Sequence, residues 1–320
     1  MRSERPLALT TLAVAALAAA AAAATAGAGC ATSLSTMQPY QTLKPGGMHF
    51  GMGYSVNAPV STSVRSVEAA VELASAASRH SRWDGMALRD DGIDTVSRKT
   101  WAKVAAGAMA VLLNTPGFEN EYMFRLGVVK DVDVGFRWAW STARVDGKFQ
   151  LYRYKPSRRF DMGLSLDVGA GYHFFDGLVF DVLEYMNIDK FRRFDAEASL
   201  IAGMSWGTYD AFQIWFGPKV MQSFYAVDGN LAGLCEPTKE VCTPDDYRLV
   251  DANDTNGRMG LYGGFFGFAV GYRWIWFVGE ITAMWMVARH HLLPGILPEP
   301  TDLGGLVVFP SWGFMGRFEL

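Results

Sequence analysis

The sequence predicts an all-β fold: a closed, antiparallel, up-and-down transmembrane β-barrel of about ten strands, with a helical insertion in the first outer loop. Three observations predict it. Strict two-residue alternation recurs along the chain, most cleanly in "MGLSLDVGAGY" at 162–172. There Met162, Leu164, Leu166, Val168, Ala170 and Tyr172 oppose Gly163, Ser165, Asp167, Gly169 and Gly171. Connections between such segments alternate between tight turns and long loops, the habit of barrels that span membranes. The faces opposite the apolar ones mix glycines with charges, which suits a crowded polar lumen and turns the apolar face toward lipid.

Residues 1–29 read as an export signal. Arg2 and Arg5 supply the positive start, Leu7 to Ala24 the apolar stretch, and "TAGAGC" the small residues of a cleavage region. Cleavage fits an ordinary small-x-small site at Ala24-Thr25-Ala26 or Ala26-Gly27-Ala28. Alternatively, Gly27-Ala28-Gly29-Cys30 resembles the lipobox of bacterial lipoproteins, with Gly27 where Leu is usual. Cysteine arithmetic favours lipidation at Cys30. Cys235 and Cys242 sit close together in one polar segment and can pair as a disulfide in an oxidising compartment, which leaves Cys30 odd. Residues 30–46 are then expected to be a periplasmic N-terminal linker, and 47–320 the barrel.

The strands follow in order. Met48, Phe50, Met52, Tyr54 and Val56 form one face of the first; Tyr122, Phe124, Leu126 and Val128 of the second; Val132, Val134, Phe136, Trp138 and Trp140 of the third. Val145, Phe149 and Leu151 mark the fourth, 162–172 the fifth, and Phe194 to Trp206 the sixth. The last four, near 211–224, 259–270, 275–285 and the closing "GLVVFPSWGFMGRFEL", alternate less cleanly. Pro218 and Pro310 remove ladder donors and are expected near rims. Tight turns fall near Lys130-Asp131, Gly207–Asp210 and Gly271–Arg273, and long connections at 57–117, 173–192, 225–258 and 287–303. Aromatic residues at strand ends (Tyr54, Trp138, Trp140, Tyr172, Trp206, Trp285) suit an interfacial girdle.

Segment 57–117 is too long for a plain loop. Ser61-Thr62-Ser63 can cap a helix running to about His80, and a second helix fits 98–113, stopped by Asn114-Thr115-Pro116-Gly117. Two such helices can cap the barrel, enter its lumen or lie on the membrane.

Half of the 320 residues are hydrophobic and 19% charged, with net charge −3, so neither the balance nor any basic stripe argues for nucleic acid. No cofactor or metal is expected. In the acidic 225–258 loop, "DANDTNG" has its glycine one place late for a calcium loop. No nucleophile motif accompanies His49, His80, His173, His290 or His291, so an enzyme is not expected.

Residues 47–318 resemble a Gram-negative outer-membrane β-barrel, although Phe318 is followed by Glu319 and Leu320 instead of ending the chain. The resemblance implies the outer membrane as location, periplasmic termini, extracellular long loops, and outer-membrane lipid and the assembly machinery as partners. The alternation places Glu121, Arg125, Asp133, Arg137, Asp146, Lys148, Asp167, Asp195, Glu197, Lys219 and Glu280 in the lumen as a polar network. Charges of both signs there are expected to pair rather than line a water column. The expected role is structural or surface-binding through the outer loops toward an unidentified external ligand. A small-solute conduit and a membrane-embedded lipid hydrolase or acyltransferase are the alternatives.

Overall fold

The computed structural model describes residues 33–64, 67–68, 71, 83–84, 87–88, 110, 113–139, 142–174, 188–235, 247–251, 255–290 and 301–318. Ten long strands make one antiparallel ring. They are β1 (Met48–Pro59), β2 (Gly117–Val129), β3 (Val132–Ala139), β4 (Thr142–Ser157) and β5 (Phe160–His173). The ring continues through β6 (Ile188–Trp206), β7 (Phe212–Cys235), β8 (Thr255–Tyr272), β9 (Ile275–His290) and β10 (Gly305–Phe318). Each strand pairs with the next, and β10 pairs back onto β1, with Met48 opposite Phe318. Closure leaves no unpaired edge, the condition for a sheet in hydrocarbon.

The outside is apolar in the way the alternation predicts. Phe50, Phe124, Phe136, Phe216, Phe266 and Phe314 are each more than 40% exposed. An apolar band this continuous belongs in lipid. Tight turns close one end of the barrel, with Asp131 and Arg273 in the left-handed region at φ 65° and 59°. At that end the Arg273 guanidinium lies 5.3, 5.9 and 5.2 Å from the rings of Tyr209, Tyr272 and Trp274. Strands β6, β7 and β8 have 19, 24 and 18 residues and outrun a single span toward the loop end, where Tyr247–Asp251 also pairs onto β7.

Two expectations about proline are corrected. Pro218 pairs with Gly264 and Pro310 with Ile281, both well inside their strands. Each is tolerated because the ladder to the other neighbour is interrupted there: β6–β7 pairing skips from Ser199–Lys219 to Ala202–Phe216, and β1–β10 pairing from Ser55–Ser311 to Ala58–Val308. A missing N–H facing an interrupted ladder orphans no acceptor.

The helical insertion starts at Val60, one residue after β1, so Ser63 is not a cap; its hydroxyl donates back to Pro59 O at 3.0 Å. Val60, Val64, Val67 and Val71 form an exposed stripe along this helix. The second helix ends at Leu113 with Asn114 N donating to Ala110 O at 3.1 Å, and β2 begins at Gly117.

The segment expected to be a periplasmic linker is corrected as well. Residues 33–43 lie inside the barrel, every one of them buried. They run along the axis from Ser33, nearer the loop end, to Leu43 at the turn end. A turn at 44–47, with Gly46 at φ 79°, then reverses the chain into β1. The physical reason is the bore. Side chains alone fill a barrel of about eight strands, and ten strands leave an axial column that needs further occupants.

Candidate functional site

The lumen has two unlike sides. On β2–β7 the inward positions are largely polar and charged: Glu121, Arg125, Asp133, Arg137, Asp146, Lys148, Asp167, Asp195, Glu197 and Lys219 all point inward and are buried. On β8–β10 they are mostly apolar, and Phe265, Ala269, Trp276, Val278 and Met315 join Ile201 and Trp215 in a cluster around Met37 and Tyr40. Glu280 is the acidic exception on that side, buried between the two.

Charges pair within the polar wall. Arg125 holds three carboxylates: Asp133 Oδ1 at 2.5 Å, Asp146 through a short contact, and Asp167 Oδ1 at 3.6 Å. Lys148 adds a second cation 3.6 Å from Asp133. Gly135 makes this packing possible, because a Cβ there would fall 2.6 Å from Arg125 Nη1 and 2.8 Å from Asp146. Higher up, Glu197 Oε2 meets Arg144 at 3.1 Å and Lys219 at 2.9 Å. The alternation reading misses Arg144, which falls in the connection 141–144, and Arg193, which falls between the connection 173–192 and the strand read from Phe194. Counting back two residues from Asp146 and from Asp195 places both on the inward face.

The same wall binds the main chain of the axial segment. Basic side chains donate to five of its carbonyls: Arg144 to Ser33 O, Lys219 to Leu34 O, Arg137 to Ser35 O and Thr36 O, and Lys148 to Pro39 O. Acceptors on the wall take four of its N–H groups. Glu280 receives Thr36 N at 2.5 Å and Met37 N at 2.8 Å, Gln150 receives Thr42 N, and Asp133 receives Leu43 N. Fewer contacts read side chains: Ser33 and Ser35 donate to Glu121, Gln38 to Asp167, and Gln41 to Ser205 while accepting from Arg317. Glycines shape the bed. A Cβ at Gly53 would sit 2.5 Å from the Met37 methyl, and one at Gly203 2.6 Å from the Tyr40 ring. At the turn end a Cβ on Gly127 would fall 2.0 Å from Lys44 O.

The loop end closes differently. Arg193 Nη1 donates to Leu113 O at 2.8 Å, binding the last turn of the second helix of the insertion, and Ala110, Leu113, Asn114 and Thr115 are buried. Arg193 also holds Asp195 at 2.9 Å. Asp195 lies 2.5 Å from His173 Nε2, and His173 Nδ1 lies 3.1 Å from Thr142 Oγ1. This places hydroxyl, imidazole and carboxylate in the order of a nucleophile relay. Thr142 is only 2% exposed, however, and the carboxylate is shared with Arg193, so the geometry suits a buried structural network. Between Met37, Met123, Arg137 and Met315 remains a cavity of about 10 Å³, room for about one water molecule.

Cys30, Cys242, His80 and His291 lie outside the described residues, and of Cys235 and His290 only the backbone is described. His49 is buried on the lumen side of β1. Among the described residues no cluster of His, Cys, Asp and Glu could hold a metal.

No protein-family model and no curated protein matches the chain. Among solved structures it is similar to the outer membrane protein OprG from Pseudomonas aeruginosa, with 13% identity over 87% of this chain and 98% of that one, at a TM-score of 0.29. It is also similar to Ail, the attachment invasion locus protein of Yersinia pestis, with 10% identity over 86% of this chain and 99% of that one, at a TM-score of 0.23. Identities and scores this low leave the fold to rest on the strand pairing itself: a closed ten-stranded antiparallel β-barrel.

Proposed function

We propose that this protein is a non-conducting barrel of the Gram-negative outer membrane that acts as an anchor, with a structural or surface-binding role carried by its long loops. The observation behind this reading is the occupied lumen: residues 33–43 fill the axis, and Ala110, Leu113, Asn114 and Thr115 are buried at the loop end. A bore whose charges are spent on each other and on a buried main chain offers no water column. In a planar bilayer the purified full-length protein should give no steady, porin-like conductance steps. Such steps would overturn the reading and favour a small-solute conduit.

A lipid on Cys30 belongs to the same proposal. Cys30 precedes the buried Ser33 by three residues, about 11 Å of fully extended chain. Mass spectrometry of the mature protein should find an acylated Cys30 as its first residue; any other start refutes lipidation. The role is also proposed to be non-enzymatic. Appearance of a lipid-hydrolysing or acyl-transferring activity that His173→Ala abolishes would refute that part.

A further inference from the structure

We propose that the turn end of the barrel is a binding collar for anionic phospholipid headgroups, with Arg158, Arg159 and Arg273 as the donors to lipid phosphate. This rests on the barrel spanning a membrane and is independent of the role given to the loops.

Charge divides along the barrel axis. In sequence, the long connections 57–117, 173–192, 225–258 and 287–303 hold nineteen acidic and thirteen basic residues. The turn-end segments 130–131, 153–161, 207–210 and 271–274 reverse the balance, with three acidic and six basic. Two of those three carboxylates are engaged. Buried Asp161 lies 2.5 Å from Arg153 and 3.7 Å from Lys155, and Asp210 accepts from the Ser205 hydroxyl at 2.8 Å. Lys130, Arg158, Arg159 and Arg273 are exposed and, among the described residues, form no ion pair.

The backbone holds these cations on one arc. Gly207 N donates to Arg159 O at 2.9 Å, Gly271 N to Ala211 O at 2.8 Å, and Arg317 N to Trp274 O at 3.0 Å, so each turn is bonded to the next from β4 round to β10. Aromatic side chains line the same arc. Trp206 packs on Phe160 at 5.9 Å and on Phe212 at 5.5 Å, Tyr209 meets Tyr272 at 5.6 Å, and Tyr152 and Tyr154 are exposed on β4. Tyr and Trp rings at the end of a lipid-facing band sit at headgroup depth, which puts the neighbouring cations among lipid phosphates. That position favours a lipid over a soluble anion.

Arg273 is the most fully prepared of the donors. Its backbone is left-handed at φ 59°, and its guanidinium lies over the rings of Tyr209, Tyr272 and Trp274. Stacking holds the guanidinium plane while its N–H edge stays open to two oxygens of one phosphate. A zwitterionic headgroup brings its own ammonium to that phosphate, so the collar selects lipids of net negative charge.

The test measures lipid selectivity of the full-length protein in vesicles, from the spectra of spin-labelled lipids held at its surface. Phosphatidylglycerol should associate in preference to phosphatidylcholine by about threefold or more, and the preference should disappear in molar salt. Arg158→Gln/Arg159→Gln/Arg273→Gln should abolish it while the barrel keeps its heat-modifiable mobility in electrophoresis. Arg273→Gln alone should lower it, and decides the matter where the triple variant does not fold. Arg192→Gln/Arg258→Gln/Arg289→Gln, the same charge change among exposed residues toward the loop end, should retain it. Four results overturn the proposal: no preference in the unaltered protein; a folded turn-end variant that keeps it in full; a loop-end variant that loses it; or its abolition by millimolar glycerol phosphate, which would make this a site for a soluble phosphate.

Discussion

Replacing Arg125 by Leu is the sharpest probe of whether the lumen is a packed interior. The guanidinium is fully buried and contacts Asp133 and Asp146 directly, with Asp167 at 3.6 Å. The local set of Arg125, Lys148, Asp133, Asp146 and Asp167 carries two positive and three negative formal charges. After the substitution it carries one and three, and Asp146 loses its direct cation. Removing one partner of a buried pair costs about 3–5 kcal/mol. With two direct partners lost the expectation lies at the upper end, about 5 kcal/mol. Asp133 retains Lys148 and the Leu43 N–H, which limits the damage on its side. Adding Asp146→Leu should therefore recover about 2 kcal/mol, because the carboxylate left without a partner is gone. Urea unfolding of the protein in phospholipid vesicles, followed by tryptophan fluorescence, measures both variants. A loss below about 1 kcal/mol for Arg125→Leu, the worth of a solvated ion pair, would refute the reasoning and show a wet lumen.

Further expectations use the same assay or simple accessibility. Gly53→Ala should destabilise by about 1 kcal/mol through its clash with Met37, and the cost should fall by half or more when Met37→Ala is present; an equal cost in both backgrounds would place the strain elsewhere. Arg193→Ala removes the donor to Leu113 O, so limited proteolysis should cut within 57–117 at least several-fold faster while the strands stay resistant. Unchanged cutting would mean that the insertion is held by other contacts. Epitope tags at residue 240 should be reachable on intact cells and tags near residue 208 should not; the reverse pattern would invert the barrel in the membrane.

Much of the ring was legible in the sequence because one physical rule, two unlike faces on a pleated strand, leaves a mark at every second residue. That rule weakens where both faces are apolar. Along β8–β10, Phe265, Val278 and Met315 point inward as Phe266, Phe277 and Phe314 point outward, which is why the alternation there is poor. The prolines misled for a related reason: an interrupted ladder, unlike a side-chain pattern, has no signature one strand away. The inward glycines announced a crowded bore but not its contents. At Gly163 the Tyr40 ring lies 3.0 Å from where a Cβ would be. "SLSTMQPYQTL" itself carries neither periodicity nor charge, and nothing in so short an uncharged stretch shows that a distant wall will bind its backbone.

The turn at 44–47 has a consequence for how the molecule is made. A closed ring with chain through its axis can arise in only two ways: the strand is threaded through a finished ring, or the ring shuts around it. The seam that shuts last in sequence joins β1 to β10, partners such as Tyr54 and Trp312 that are more than 250 residues apart. Residues 33–43 directly precede β1 and are folded back against it by the turn, with Gly46 N donating to Gly127 O and Gly127 N to Gly47 O. Those two bonds need only β1 and β2, so the segment can lie in place on an open, curved sheet before the last strand arrives. Assembly then resembles the closing of a sleeve over a rod, and the order of events is written into the chain: the contents are synthesised first and the final strand seals them in.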